Sequence, residues 1–434
     1  MTDPTPKRVL GLRELIAMGI GGMIGGGIFS LLGISVQISG NAAPFAFAIG
    51  SMVAIVAGYS YVRLALTYRA DGASFTYLER AFPRHPNVAG IAGWTVVVGY
   101  IATMALYAFT FGAFGALLLG LPNSLPLRAG LSAGILLFFM FVNLIGARES
   151  GLAEDVAVYA KVAILAVFGV AGIFVVRADN YVPLFDQGGS SIIIAGALIF
   201  VAYEGFQLIT NAVLETKDPD RNIPRAIYGS IVIVSVIYVT IAAVAVGSLT
   251  VDALIAERDQ ALAVAARPAL GDLGVLLVGI AALLATSSAI NATVFGASRM
   301  AAEIATERLA PKAFSFRNRR DVPWFAVLSL TVLALLLSVG GGLEMIAAFS
   351  SMTFLLVSIG VSIANLRLHK VTGSSGGLVV LGLLLMTVTT GILGLYLWEN
   401  DRETLWLILG IYATVTMAEL LLSRRRISWR RGGR

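Results

Sequence analysis

The chain has 434 residues, 58% of them hydrophobic and 13% charged, with a net charge of +6 and a mean hydropathy of +0.87. Soluble domains carry roughly 25% charged residues, so a soluble fold is excluded and an all-α polytopic membrane protein is expected. Cysteine is absent, which removes disulfides, iron–sulfur clusters and thiolate nucleophiles, and the two histidines, His85 and His369, lie in polar loop contexts unsuited to holding a haem in the bilayer.

Barrel strands would alternate with period two in segments of about ten residues, and no such alternation is present. Windows of about 19 residues instead predict 12 apolar spans. They lie near 12–38, 43–66, 88–119, 127–146, 152–176, 190–215, 224–248, 270–300, 323–339, 343–366, 376–397 and 404–423. Residues 1–11 are polar and no small-residue cleavage site follows them, so a cytoplasmic N-terminal segment is expected rather than a cleavable signal. The narrowest division lies between spans nine and ten, where only Gly340, Gly341 and Gly342 separate two apolar runs.

Span one carries the sequence Gly19-Ile20-Gly21-Gly22-Met23-Ile24-Gly25-Gly26-Gly27-Ile28-Phe29. Glycine costs a helix interior about 1 kcal/mol relative to alanine, so this cluster predicts a broken helix. Broken backbone in a bilayer is tolerated where it is buried in protein or lines a cavity. A second break is expected in span six, at Phe200-Val201-Ala202-Tyr203-Glu204-Gly205-Phe206, where a glutamate stands beside a glycine. Breaks in spans one and six imply a five-helix unit used twice. Because five is odd, the second copy enters from the opposite face, as an inverted repeat with discontinuous helices framing a midplane site. The predicted organisation is therefore a first repeat over 12–176, a second over 190–366, two further helices over 376–423 and a basic tail over 424–434.

Basic residues give the orientation. With the N-terminus inside, the cytoplasmic segments hold 25 of the 31 basic residues, among them Lys7, Arg8, Arg148, Arg308 and the tail residues Arg424 to Arg434. The outer segments keep Arg128, Arg177, Arg258, Arg267 and Arg402. This bias places both termini in the cytoplasm, and the tail reads as a flank facing anionic lipid rather than a nucleic-acid arm.

Chemistry is expected first at the two breaks. Unwinding at Gly25, Gly26 and Gly27 leaves N–H groups at the start of a half-helix, the positive end of its dipole, which suits a carboxylate. Free carbonyls at Met23, Val201 and Ala202 would suit an ammonium. The plainer alternative is glycine as a close-packing residue. Lys161 lies about nine residues into span five, roughly 14 Å deep at 1.5 Å per residue, among apolar neighbours. Burial penalises its charge, which makes it a proton-exchange candidate. The alternative is a lysine that snorkels to the surface. Glu204 can contact substrate, carry a proton, pair with a cation or serve the backbone of the break, and substrate contact is favoured.

In span eight, Thr286, Ser287, Ser288 and Thr293 either bond to their own helix or help hold a sodium ion. Tyr100, Met104 and Tyr107 in span three, with Ser350, Ser351 and Thr353 in span ten, line a pocket or simply pack. No Walker loop, dinucleotide fingerprint, catalytic triad or metal-ligand cluster occurs, so neither enzymatic chemistry, a cofactor nor a metal is expected.

Four of these segments resemble the amino acid–polyamine–organocation (APC) superfamily. Gly25-Gly26-Gly27-Ile28-Phe29 resembles its G-x-G-I-F element, and Val201 to Phe206 resembles its sixth-helix break. Glu215-Thr216-Lys217-Asp218-Pro219-Asp220-Arg221-Asn222-Ile223-Pro224-Arg225-Ala226 is similar to its E-x-K-x-P-x-R-x-I-P-R-A loop. Ser287 to Thr293 is also similar. The likeness is greatest to prokaryotic proton-coupled, broad-specificity amino acid transporters. It implies the leucine-transporter-like five-plus-five inverted repeat with two extra helices. It also implies substrate contacts at Met23, Gly26, Gly27, Val201, Ala202 and Glu204, and it puts Lys161 where sodium-coupled relatives bind sodium. Glu204 is charged where many of these transporters are apolar.

The expected function is secondary active transport: proton-coupled symport of amino acids across a prokaryotic cell membrane, with protonation of Lys161 favouring one access state. The rivals are an amino acid or amine exchanger, a sodium-coupled symporter and, from another class, an integral-membrane enzyme or complex subunit. A quinone site, histidine ligands or a polar catalytic cluster would mark the last, and the sequence has none.

Overall fold

A computed structural model describes residues 9–69, 73–146, 151–307, 309 and 311–431, with side chains at 73, 86, 151–155 and 422–431 left aside. Lys7, Arg8, Arg148, Arg308 and Arg434 of the charge argument lie outside the described residues, and so do most of the N-terminal segment and the last tail residues.

The described residues are helical, with one isolated bridge between Leu10 and Thr216. In chain order the helices are α1 (Leu12–Met23), α2 (Gly27–Ser39), α3 (Ala43–Tyr68), α4 (Ala73–Ala81), α5 (Pro86–Leu118) and α6 (Leu125–Ile145). Then come α7 (Gly151–Ile173), α8 (Gly189–Leu198), α9 (Leu208–Asn211), α10 (Pro219–Ser248) and α11 (Val251–Ala256). The chain continues through α12 (Ala261–Thr306), α13 (Trp324–Gly340), α14 (Leu343–Arg367), α15 (His369–Thr372), α16 (Gly376–Asn400) and α17 (Arg402–Arg431).

Local chemistry sets many of these ends. Proline occupies the first turn of α3, α5, α6 and α10, where its missing N–H costs nothing. Gly146 ends α6 in the left-handed conformation at φ 74°. Gly271, at φ 63°, kinks α12, close to the expected start of span eight at residue 270.

Among the described residues ten segments are long and apolar enough to cross a membrane, and α13 is a shorter apolar helix. Their burial differs sharply. The apolar windows of 87–118 and 189–211 are 83% buried inside the protein, whereas that of 125–145 is only 17% buried and that of 402–421 only 22%. Outer helices this apolar and this exposed require hydrocarbon rather than water around them. The inner set is α5 against α12 and α14, and α10 against α1 and α3.

Both expected breaks are present as interruptions of helix. Between α1 and α2 the chain passes through Ile24 at ψ 68° and then Gly25 and Gly26. Between α8 and α9 it runs through a 3₁₀ turn, Ile199–Tyr203, and then through extended Glu204 and Gly205 at φ 130°. The two interruptions touch. A Cβ on Gly205 would lie 2.4 Å from the carbonyl carbon of Gly22, so two glycines are needed where the chains cross.

Candidate functional site

Glycine at the first break makes room for an aromatic ring. A Cβ on Gly25 would stand 2.7 Å from Cε1 of Tyr107, and one on Gly26 would stand 2.8 Å from Cδ1 of the same ring. Gly27, the first residue of α2, packs on Ala202, where a Cβ would come within 2.8 Å of Cα. Ser30 and Thr110 share a short hydrogen bond just beyond. In this conformation the N-terminus of α2 therefore lies under Tyr107.

The carbonyls exposed by unwinding are bonded, by side chains from other helices and by local backbone N–H groups. The hydroxyl of Tyr238 in α10 donates to Met23 O at 2.8 Å and to Ala202 O at 3.3 Å, bridging the two breaks. Val201 O accepts from the N–H of Glu204 at 3.1 Å, and Val201 N–H donates to Ser351 Oγ at 3.0 Å. Ser351 in turn donates to Leu198 O at 2.6 Å. The carbonyls expected to be free at Met23, Val201 and Ala202 are thus hydrogen-bonded here, because a buried carbonyl without a partner is costly.

Lys161 approaches the end of α1 from α7. It is fully buried in α7, and its ammonium donates to Ile24 O at 2.6 Å and Gly21 O at 3.1 Å. It reaches the first break rather than the surface, so snorkelling does not describe it. Bonds from a charged donor to backbone carbonyls are the stronger kind, and here they fasten the end of α1 to α7.

Beside the breaks lies a cavity of about 280 Å3, lined by Gly21 and Gly22 of α1, Tyr61, Tyr100, Thr103, Tyr107, Glu204, Gln207, Ser288 and Phe354, among others. That volume is near the lower end of small-molecule sites, about 300–1,000 Å3. The cavity continues along α12 past Thr293 to Arg299 and Glu303. Arg299 at that end donates to Phe295 O at 3.2 Å and lies over the Phe295 ring.

Glu204 is buried at the edge of this cavity, with 7% of its surface exposed. Its Oε1 accepts from Gln207 Nε2 at 2.5 Å, and Gln207 Oε1 accepts from Gly205 N–H at 3.0 Å. Gln207 therefore holds the second break in shape while orienting the carboxylate. Among the described residues, Oε2 has no hydrogen-bond partner.

Of the residues singled out in the sequence, Tyr100, Tyr107, Ser288 and Glu204 line the cavity. Met23, Gly25, Gly26, Gly27, Val201 and Ala202 lie behind that lining, and so does Ser351. Met104 is buried in α5 without reaching the cavity, and Ser287 is half-buried outside it. Ser288 Oγ donates to Ala285 O at 3.2 Å, and Thr286 Oγ1 to Ala282 O at 2.7 Å, so both hydroxyls are satisfied within α12. Sequence reasoning missed Gln207 and Tyr238. The position of Gln207, three residues after a mid-span glutamate, is a signal that could have found it. Nothing in the sequence ties Tyr238 to Met23.

Comparison with known proteins identifies the family. The amino acid permease family model matches residues 10–413. Uncharacterized protein MJ0609 of Methanocaldococcus jannaschii is 31% identical over 420 residues, covering 96% of this chain and 95% of that protein. Inner membrane transport protein YbaT of Escherichia coli is 28% identical, covering 97% and 98%. Branched-chain amino acid permease BcaP of Bacillus subtilis is 24% identical, covering 93% and 92%. An apolar bundle with two touching helix breaks beside a cavity, matched over nearly its full length, belongs to the amino acid permease family of the APC superfamily.

Proposed function

We propose that this permease is a proton-coupled symporter that imports amino acids across a prokaryotic cell membrane by alternating access. Its frame is the twelve-span, five-plus-five inverted repeat expected from the sequence, with both termini cytoplasmic. The substrate carboxylate meets the N–H groups of Gly26 and Gly27 at the start of α2, where the helix dipole favours an anion. Gly25, Met23, Val201 and Ala202 form the backbone wall around it, and Glu204 closes the other end. Tyr107, which covers Gly25 and Gly26, swings aside as substrate enters. The remainder of the substrate extends into the cavity between Tyr100 and Ser288.

The observation that carries this reading is Lys161. Its ammonium occupies Gly21 O and Ile24 O, at the place where α1 stops being helical. A protonated lysine offers three donors, and a neutral one loses both charge and a donor. Gain and loss of that proton therefore tightens and loosens α1 against α7, giving the break two states that a proton gradient can bias. A cation from outside would have to displace the Lys161 ammonium from these carbonyls, and the hydroxyls of Thr286 and Ser288 are turned to their own helix. Both features support a proton rather than sodium as the coupling ion.

The test is uptake of labelled alanine into proteoliposomes under an imposed pH gradient, with and without sodium. Accumulation that follows the pH gradient and ignores sodium is expected. Accumulation that needs a sodium gradient, with none from pH, overturns the reading.

A further inference from the structure

One group at the site, Glu204, closes the pocket in this mechanism without being given a bonding partner. Glu204 lines the cavity; its Oε1 is taken by Gln207, and its Oε2, itself buried, has no partner among the described residues. The backbone acceptors nearby are occupied: Gly21 O and Ile24 O by Lys161, Met23 O and Ala202 O by Tyr238, and Val201 O by the N–H of Glu204. Tyr61, Tyr100, Tyr107 and Phe354 line the same cavity and supply rings and hydroxyls, and the cation in that lining is Arg299 on α12. Tyr61 already bonds Ser74 at 3.1 Å.

We infer that Glu204 Oε2 is the anchor for an organic ammonium group of the transported molecule, so that a side-chain carboxylate does what the occupied carbonyls do not. This rests on the reading of the cavity as the substrate site. It does not depend on which ion is coupled. The chemistry follows from the setting. A buried carboxylate oxygen with no donor is costly, and an alkylammonium brings both the donor and the opposite charge. The faces of Tyr100 and Tyr107 are suited to the rest of such a cation. The α-ammonium of an amino acid and the terminal ammonium of a dibasic amino acid or polyamine both offer this group.

The experiment is equilibrium binding to the purified full-length protein in detergent, read by ligand-dependent thermal shift and by calorimetry, with no ion gradient. The ligands are alanine, lysine, cadaverine and the ammonium-blocked N-acetylalanine. Wild-type protein is expected to bind at least one of the three ammonium compounds and to bind N-acetylalanine at least tenfold more weakly than alanine wherever alanine binds. Loss of a hydrogen bond to a charged group corresponds to roughly a ten- to hundredfold weakening, which is the effect expected of Glu204→Gln. Glu204→Asp should recover part of it. If alanine and lysine weaken together, the anchored group is the α-ammonium. If only lysine and cadaverine weaken, it is the terminal one.

Unchanged affinity of Glu204→Gln for every ammonium ligand overturns the inference, and so does failure of all of them to bind wild-type protein. Should Glu204→Gln not fold, the wild-type series decides alone: N-acetylalanine binding as tightly as alanine, with cadaverine not binding, overturns it. Because no gradient is applied, a failure of proton coupling leaves this result intact. Binding of all four ligands outside the cavity, unaffected by Tyr107→Trp, would instead count against the substrate site itself.

Discussion

The two helix breaks are built in opposite ways. The first, between α1 and α2, is made of glycine and has no functional side chain of its own. Apart from backbone bonds such as Gly25 N–H to Met23 O, what stabilises it arrives from elsewhere: Lys161 from α7, Tyr238 from α10 and the ring of Tyr107 from α5. The second, between α8 and α9, carries its own machinery in Glu204 and Gln207, two residues that bond each other while Gln207 also accepts from the Gly205 N–H. One break is held by side chains from other helices, and the proposed mechanism changes that grip with a proton. The other is a turn fastened by its own side chains that presents a carboxylate. In the proposal, coupling falls to the first and recognition to the second.

The largest effect should come from joining the two. Gly205 is at φ 130° with the backbone of Gly22 directly against it. Gly205→Ala meets both a strained conformation and a backbone clash, each of a kind that costs about 1–3 kcal/mol. It should abolish uptake and lower the melting temperature of the purified protein markedly. A Gly205→Ala protein with wild-type melting and transport would show that the crossing of the breaks is not tight.

Next in size is Tyr238→Phe, which leaves Met23 O and Ala202 O without their shared donor. Met23 O keeps the Gly25 N–H at 2.9 Å, so the carbonyl stranded is Ala202 O, at about 1–3 kcal/mol; thermal unfolding should shift accordingly, and substrate binding should change little because no lining atom is removed. A much larger loss of binding than of stability would make Tyr238 part of the recognition half.

Closer to the surface, the carboxylate of Asp220 pairs with Arg69 at 2.8 Å, with both residues substantially exposed. Exposed pairs are worth about 0–1 kcal/mol. Asp220→Asn should therefore alter stability by less than about 1 kcal/mol, measured by thermal melting in low salt, and the difference should shrink in high salt. The smallest effect is expected for Ser288→Ala. Although Ser288 lines the cavity, its hydroxyl serves its own helix at Ala285 O. Apparent affinity for alanine in counterflow should move by less than about twofold, since local back-bonding contributes little. A large change there would bring α12 into the recognition half.

Much of this was legible before the structure. A glycine run can be read directly, because loss of helix propensity is a local property, and α1 with α2 spans Leu12 to Ser39 where 12–38 was expected. Gly341 and Gly342 separate α13, which ends at Gly340, from α14 in the same way. Lys161 stood out because a charge that deep in an apolar run has few explanations. The partners of these features were not legible. Tyr238 meets Met23 across 215 positions in sequence, and no pattern within either helix encodes that crossing. For the same reason, Gly25 to Gly27 could be identified as a break, but not as one covered by Tyr107. Serine and threonine in span eight were ambiguous in sequence because their bonds to their own backbone leave no periodic trace.

The most direct test of the central claim is proton movement itself, followed with a pH-sensitive dye trapped in proteoliposomes after alanine is added outside. Wild-type protein should acidify the lumen on addition of alanine. Lys161→Ala should not, while still exchanging labelled for unlabelled alanine in counterflow. Alanine-dependent acidification by Lys161→Ala at the wild-type rate would contradict the account.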